Sequence, residues 1–354
     1  MVASSGPPNR IETSRPRRRS RAPHSHACMS NPYTIIGGGV CGLAIAAEMS
    51  SRGAPVTVID PNGAPGDHAC SWWAGGMLAP DCEGVLADPE VVRQGRKAAA
   101  WWKSHGGTVH HEGTIVVALA RDQGDLATFA RRAPSAQALS KTQIEAYEPH
   151  LAERHSRALF LAEEGHLDPR STLAGLYERL GQRGVRFGGD VAGQLIDCRG
   201  LAARDALTDL RGVKGEMLIV RCPDVTLSRP VRLLHPRFPL YIVPRGDGLF
   251  MLGATQLETS ERGPARLRSV MELMNAAYAL HPAFGEAELL EVGVDARPAF
   301  PDNQPRIRRI GDRIYVNGLF RHGFLLAPAL AQMTADLLLD GKIPEVWYED
   351  HRER

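Results

Sequence analysis

Apolar positions in the first part of the chain fall into short runs punctuated by glycine. Tyr33-Thr34-Ile35-Ile36 collapses into Gly37-Gly38-Gly39, and a helix-forming run follows from Leu43 to Met49. A turn at Ser51-Arg52-Gly53 then leads to the apolar run Val56-Thr57-Val58-Ile59, closed by Asp60. This pattern predicts a strand, a glycine turn, a helix and a second strand. Asp88-Pro89-Glu90 supplies an N-cap and an N1 proline for a helix that carries Trp101 and Trp102 and stops at Gly106-Gly107. Residues 113–119 read as a strand, and Ser140-Lys141-Thr142-Gln143 is a capping box opening a short helix. Asp168-Pro169 opens another helix, with Leu173, Leu176 and Leu180 on one face, ending at Gly184; strands follow at 185–187 and 194–198.

The middle of the chain changes character. Glu216 to Val220, Tyr241 to Pro244 and Leu249 to Ala254 read as antiparallel strands, the last two joined through Arg245-Gly246-Asp247-Gly248, a hairpin signal. Thr259 to Leu280 is helical in its second half. The end returns to the opening pattern, with a strand at Arg313–Val316, a turn at Asn317–Gly323 and an apolar-faced helix at Phe324–Leu339. The expected fold class is therefore α/β with an α+β second domain. A discontinuous nucleotide-binding domain (31–88, 155–215 and 300–354) is interrupted by a smaller mixed antiparallel-sheet domain (89–154 and 216–299), with the ligand at their boundary.

The glycines have the Gly-x-Gly-x-x-Gly spacing at 37, 39 and 42. Gly37 turns the chain out of the strand, Gly39 lets the backbone approach a pyrophosphate, and Gly42 lets the helix pack closely on the strand. The helix N-terminus presents free amides and a positive dipole end to the phosphates. Asp60 lies 23 residues after Gly37, the separation expected of an acid that binds ribose hydroxyls. It disfavours the phosphate of an NADP ribose and suits FAD or NAD.

Composition narrows the class further. The 354 residues are 43% hydrophobic and 23% charged, ordinary for a globular protein, and no apolar run reaches the length of a membrane span. Residues 1–30 hold six Arg and one Glu, a balance of +5 in a chain whose net charge is +2, so the remainder carries −3. That mildly acidic body gives no electrostatic reason to bind nucleic acid. The Pro-, Ser- and Arg-rich residues 1–30 have too few large apolar side chains to fold. They read as a targeting peptide, a nucleic-acid-binding tail, or residues upstream of a true start at Met29, the last being preferred. Cysteines at 28, 41, 70, 82, 198 and 222 form no Cys-x-x-Cys pair and no metal-ligand spacing with His, which points to a reducing, cytoplasmic setting. His110-His111 on a strand would point to opposite faces, so no metal site is expected.

Six stretches in order resemble a known family: Ile35–Leu43, Ser71–Pro80, Tyr241–Arg245, Gly253–Thr255, Arg297-Pro298 and Asn317–Pro328. The chain is similar to the glycine oxidase of thiamine biosynthesis, within the D-amino-acid oxidase group of FAD-dependent enzymes. The resemblance implies a Rossmann-like domain binding FAD non-covalently along Gly37, Gly39, Val40, Gly42 and Asp60. It implies that Ser71, Gly75, Gly76 and Met77 approach the pyrophosphate and flavin, that Val191 lies near the adenine, and that Gly200 lies beside the cofactor. Arg321, His322, Gly323, Phe324 and Leu325 would face the pyrimidine end of the flavin.

On the substrate side the resemblance assigns Arg297 to the substrate carboxylate, Tyr241 to the same carboxylate, and Arg321 to a place near the active site. An arginine suits this role because its planar fork matches a carboxylate bidentately. The implied reaction is oxidative deamination of glycine and small amines, with hydride passing directly from the neutral amine and with dioxygen reduced to hydrogen peroxide. The imine would become glyoxylate or enter the thiazole ring of thiamine. Two positions depart from the family pattern, Pro239 and Gln256, and both bear on substrate preference. The group's members are often oligomers, so the resemblance admits a homo-oligomer. Rival readings are a flavin oxidase of sarcosine, of D-amino acids or of a tRNA methylaminomethyl group, a non-catalytic FAD-binding protein, and an NAD dehydrogenase.

Overall fold

The structure, a computed structural model, describes residues 1–3, 6, 32–234 and 240–351. The chain divides into two units, Met1–Ser30 and Asn31–Arg354. The expectation that residues 1–30 do not fold falls, but for four residues, outside the described residues, as does Pro239.

Two sheets organise the unit Asn31–Arg354. The first has seven strands, in the order Tyr348–His351, Arg306–Ile310, Arg313–Asn317, Gln194–Asp197, Tyr33–Ile36 (β1), Val56–Ile59 (β2) and Arg186–Phe187. Its neighbours are parallel except for the hairpin of Arg306–Ile310 with Arg313–Asn317. Between β1 and β2 the chain crosses through helix α1, Val40–Ser51, which is buried from Val40 to Met49. Such complete burial arises because α1 lies between the sheet and the last helix, Gly323–Leu339, and both share one apolar core.

The second sheet has eight strands, in the order Glu288–Ala299, Arg211–Arg221, Leu249–Gly253, Leu240–Gly246, Val231–Leu234, Thr114–Ala118, Arg157–Leu161 and Gln137–Ser140. All neighbours are antiparallel except Val231–Leu234 with Thr114–Ala118. The two-residue period of a strand sorts its side chains between two cores. Ile115, Val117, Leu218, Leu240, Ile242, Phe250 and Leu252 face the helix Leu267–Leu280. Val116, Ala118, Met217, Tyr241, Val243 and Met251 face the other way. The register that buries the first set therefore aims Tyr241, Met217 and Met251 at the opposite face, where the candidate site lies.

Most expected elements are present, including the Ser140 capping box and the hairpin Leu240–Gly253. The single helix expected from Asp88 onward is two, α3 (Pro89–Gly95) and α4 (Ala98–Ser104), after the short helix α2 (Pro80–Gly84). The chain breaks beside Gly95, where a Cβ would stand 2.8 Å from Leu325 Cγ. The strand Glu288–Ala299, twelve residues long, had no counterpart in the expected elements. The segment 89–154 is divided by its packing. Trp101 and Trp102 of α4 join the core of the first sheet, whereas Thr114–Ala118 and Gln137–Ser140 lie in the second.

Candidate active site

One cavity runs between the sheets and is lined from both. Gly37, Gly39, Val40, Asp60, Ser71, Gly75, Gly76, Met77 and Gly200 line it together with Tyr241, Arg297, Arg321, Gly323 and Phe324. Gly42 and Leu325 stand behind that lining. Gly42 touches β1, where a Cβ would meet Gly37 O at 1.9 Å, and Leu325 packs in the core beside Gly95. Val191 is exposed and does not line the cavity. His322 borders an adjoining cavity, which shares Arg321, Phe320 and Gln256 with the first.

One end of the cavity has the form of a cradle for an anion. Gly37 has a φ of +105°, and a Cβ there would stand 2.5 Å from Cys198 O, so only glycine makes this turn without strain. Gly39 is the N-cap of α1 and caps it with no side chain, leaving the first amides of the helix free. A Cβ at Gly39 would meet only Ser71 Oγ, at 3.6 Å. Ser71 Oγ is itself buried without a hydrogen-bond partner. Free helical amides facing an unpaired buried hydroxyl fit an anionic ligand such as the pyrophosphate of FAD. At the rim, Asp60 accepts from Gly38 N at 2.7 Å and from Asn62 N at 2.9 Å, which fixes its carboxylate at the end of β2. The last helix also starts in the cavity wall. Its first turn carries no acidic side chain and no side-chain cap, so the amides near Gly323 and Phe324 favour negative charge.

The other end is built from charged groups. Arg297 lies on the strand Glu288–Ala299 and faces the cavity, with protein on its remaining sides. Its Nη1 donates to Thr255 O at 3.2 Å, and no carboxylate pairs with it among the described residues. Burial pushes its guanidinium down to about 10, offset in part by Cys70 and reinforced by Arg321. Gly215, on the neighbouring strand, makes room for it, since a Cβ there would stand 2.2 Å from Nη2. Tyr241 is buried, and its hydroxyl accepts from Arg232 Nη1 at 3.2 Å and donates to Glu83 Oε1 at 3.3 Å. Burial pushes that phenol well above its ordinary range, and the charge of Arg232 opposes the shift.

Glu83 and Arg232 carry no signal in the sequence, yet they organise this end. Glu83 is on α2, and its Oε2 lies 2.7 Å from Arg321 Nε and 3.0 Å from His322 Nε2. Burial would raise its pKa, but Arg321, the hydrogen bond with His322 and the charge of Arg232 hold the carboxyl well below the usual carboxylate range. Arg232 also donates to Cys82 O at 2.6 Å. The partners of both residues come from distant segments, so no local spacing marks them. Among the described residues no cluster of His, Cys, Asp and Glu could hold a metal ion.

A dinucleotide cradle joined to a pocket with an unpaired guanidinium defines a class, an oxidoreductase that brings a bound cofactor against a small carboxylate substrate. The model of the family described as FAD dependent oxidoreductase matches residues 33–337. A protein of Rhizobium etli named as a thiamine biosynthesis oxidoreductase, ThiO, is 50% identical over 313 residues, covering 86% of this chain and 95% of that relative. A glycine oxidase of Bacillus licheniformis is 26% identical over 363 residues, covering 89% and 95%. The crystal structure of glycine oxidase from Geobacillus kaustophilus superposes with a TM-score of 0.76 at 24% identity, covering 90% of this chain and 97% of that one. The chain belongs to the FAD-dependent oxidoreductase family and is an FAD enzyme.

Proposed function

We propose that this chain is a glycine oxidase serving thiamine biosynthesis. It oxidises glycine, and more slowly other small amines, to the imine; dioxygen is the terminal acceptor and hydrogen peroxide the by-product. The imine supplies the thiazole ring or hydrolyses to glyoxylate and ammonia. The observation that carries this reading is Arg297, a cation without a carboxylate partner among the described residues, inside the same cavity as the FAD cradle.

FAD, when bound, supplies the two-electron acceptor. The chain's own residues bind and orient. Arg297 takes the substrate carboxylate through its planar fork, and Tyr241 stands beside it in the same wall. Met217, Met251 and Ala254 give that wall an apolar surface that limits water. Gly37, Gly39 and Ser71 would hold the pyrophosphate of the bound cofactor, and Asp60 its ribose. No side chain needs to act as general base, because positioning supplies most of the rate.

The free thiols Cys41, Cys70, Cys82, Cys198 and Cys222 support a cytoplasmic setting, and among the described residues no helix is long and apolar enough to cross a membrane. Leu267, Met271, Met274 and Tyr278 form an exposed apolar stripe on one helix, with Leu289, Leu290 and Val292 exposed on an edge strand, which supports a homo-oligomer. Peroxide release by FAD-loaded protein against glycine, sarcosine, D-alanine, D-proline and L-amino acids tests the proposal. Glycine should lead. Turnover led by another amine moves the substrate, with Gln256 the first residue to examine, and no turnover on any of them overturns the reading.

A further inference from the structure

The substrate end of the cavity holds more cation than one carboxylate requires. Arg297 and Arg321 both line it. Of the carboxylates that line the same cavity, Asp295 pairs with Arg262 and Asp60 holds two amides at the rim, and Glu83 faces Arg321. That carboxylate is already committed. Its Oε2 sits 2.7 Å from Arg321 Nε and 3.0 Å from His322 Nε2, and its Oε1 accepts from Tyr241 at 3.3 Å. Arg297 donates only to the carbonyl of Thr255 among the described residues. One guanidinium is thus capped and the other open. The capped one occupies a particular place, since Arg321, Phe320 and Gln256 border both the first cavity and the adjoining one. A substrate held through its α-carboxylate on Arg297 shares one chamber with that junction.

We propose that Glu83 sets the charge specificity of the site. By capping Arg321 it leaves Arg297 as the one arginine without a carboxylate partner among the described residues that line the chamber, so the chamber takes amines with one carboxylate and rejects those with two. A second carboxylate arriving at the junction meets the carboxylate of Glu83 in place of an open guanidinium, and like charges at close range are costly. Glu83→Gln removes that charge and exposes Arg321. The chamber then offers two cations, Arg297 for one carboxylate and Arg321 for the other, which matches a dicarboxylic secondary amine such as iminodiacetate. Glu83→Gln also leaves the Tyr241 hydroxyl facing a neutral amide oxygen in place of an anion, a weaker acceptor.

This inference rests on the substrate reading above, and the test separates the two. Full-length FAD-loaded wild type, Glu83→Gln and Glu83→Asp are titrated with acetate and with malonate, following the absorbance of the bound flavin; kcat/KM is measured with glycine and with iminodiacetate. Wild type should prefer the monocarboxylate in both assays. Glu83→Gln should move the malonate-to-acetate and iminodiacetate-to-glycine ratios toward the dicarboxylate by about tenfold or more, and Glu83→Asp, which keeps the charge, should hold the wild-type ratios. A smaller shift in Glu83→Gln, or an equal shift in Glu83→Asp, overturns the proposal. If Glu83→Gln does not retain FAD, Arg321→Met decides. Removing the capped cation bares the Glu83 charge beside the substrate, so acetate should bind more weakly, and unchanged acetate affinity overturns the role of Glu83. Wild type that neither binds acetate nor oxidises glycine refutes the substrate reading itself.

Discussion

Arg297 reaches its place through a side chain its neighbour lacks, since only glycine at 215 leaves room for the guanidinium. Its open fork is the feature on which the carboxylate reading turns. Arg297→Ala should raise the KM for glycine by about 30-fold or more while leaving the FAD spectrum intact, because truncating one member of a buried charge pair costs several kcal/mol. Arg297→Lys should recover only part of that loss, since an ammonium keeps the charge but not the bidentate fork. An unchanged KM would remove Arg297 from the role. A second residue makes a prediction about stability. Glu164 is fully buried, and its Oε1 accepts from Cys82 N at 2.6 Å. Burial pushes its carboxyl from 4.5 up to about 7, opposed by the Cys82 amide. An acid whose pKa is raised by folding contributes stability that is full below its unfolded value and is lost as pH rises through the folded one. Between about pH 4.5 and pH 7 the wild type should therefore lose on the order of 3 kcal/mol through this group. Glu164→Gln, which cannot ionise, should flatten that slope, so its melting temperature relative to wild type should be higher at pH 8 than at pH 5. Parallel pH profiles for the two proteins would refute this.

The β1–α1–β2 element shows how two glycines in one motif do different work. At Gly42 a Cβ would meet Gly37 O at 1.9 Å, a backbone atom that cannot move without displacing α1 from the sheet. At Gly39 the nearest atom is Ser71 Oγ at 3.6 Å, so the fold itself has room for a side chain there. Gly42→Ala should thus lower the melting temperature of the FAD-free protein, by about 1–3 kcal/mol in stability. Gly39→Ala should leave that temperature unchanged and weaken FAD binding. Equal effects on FAD-free stability would contradict the distinction. This element was legible in the sequence because its requirements are local: strand, turn, helix and acid follow in one short stretch. Other features were not. The break between α3 and α4 falls beside Gly95, against which Leu325, a neighbour distant in sequence, packs closely. Glu288–Ala299 is an edge strand, exposed at its start and buried at its end, so it lacks the alternation that betrays a strand. Tyr241 and Arg297 were named through family resemblance, since neither spacing nor period singles them out. Glu83 and Arg232 escaped because their partners, Arg321, His322, Tyr241 and Cys82, come together only in the folded chain.

Across the whole molecule the cavity is the place where the two sheets share a wall. Gly37, Asp60 and Asn317 border it from the first sheet, and Met217, Tyr241, Met251 and Arg297 from the second. Side-chain braces span the sheets beside it. Arg170, on the helix Pro169–Gln182 that packs on the first sheet, pairs with Glu291 of the second at 2.7 Å and lies over the rings of Trp72 and Trp73 at 5.1 Å each. Arg245 of the second sheet donates to Gly75 O at 2.8 Å and to Leu167 O at 3.1 Å. The exposed ion pair adds little by itself, because solvent screens it. A ligand that fills the shared cavity touches both walls at once and binds only when both are formed. FAD should therefore stabilise the molecule as a unit through mass action, by about 2.7 kcal/mol when free FAD stands at 100 times its dissociation constant. Removing FAD should lower the melting temperature, and adding it back should restore the temperature in proportion to the logarithm of its concentration. If the walls are coupled, near-ultraviolet circular dichroism and tryptophan fluorescence should report one transition in the loaded protein. Of the tryptophans, Trp101, Trp102 and Trp347 belong to the first core, whereas Trp73 packs against the core of the second sheet. A loaded protein that melts in two steps, with FAD shifting only the step seen from the first core, would show that the cofactor belongs to one sheet and that the wall from the second is incidental.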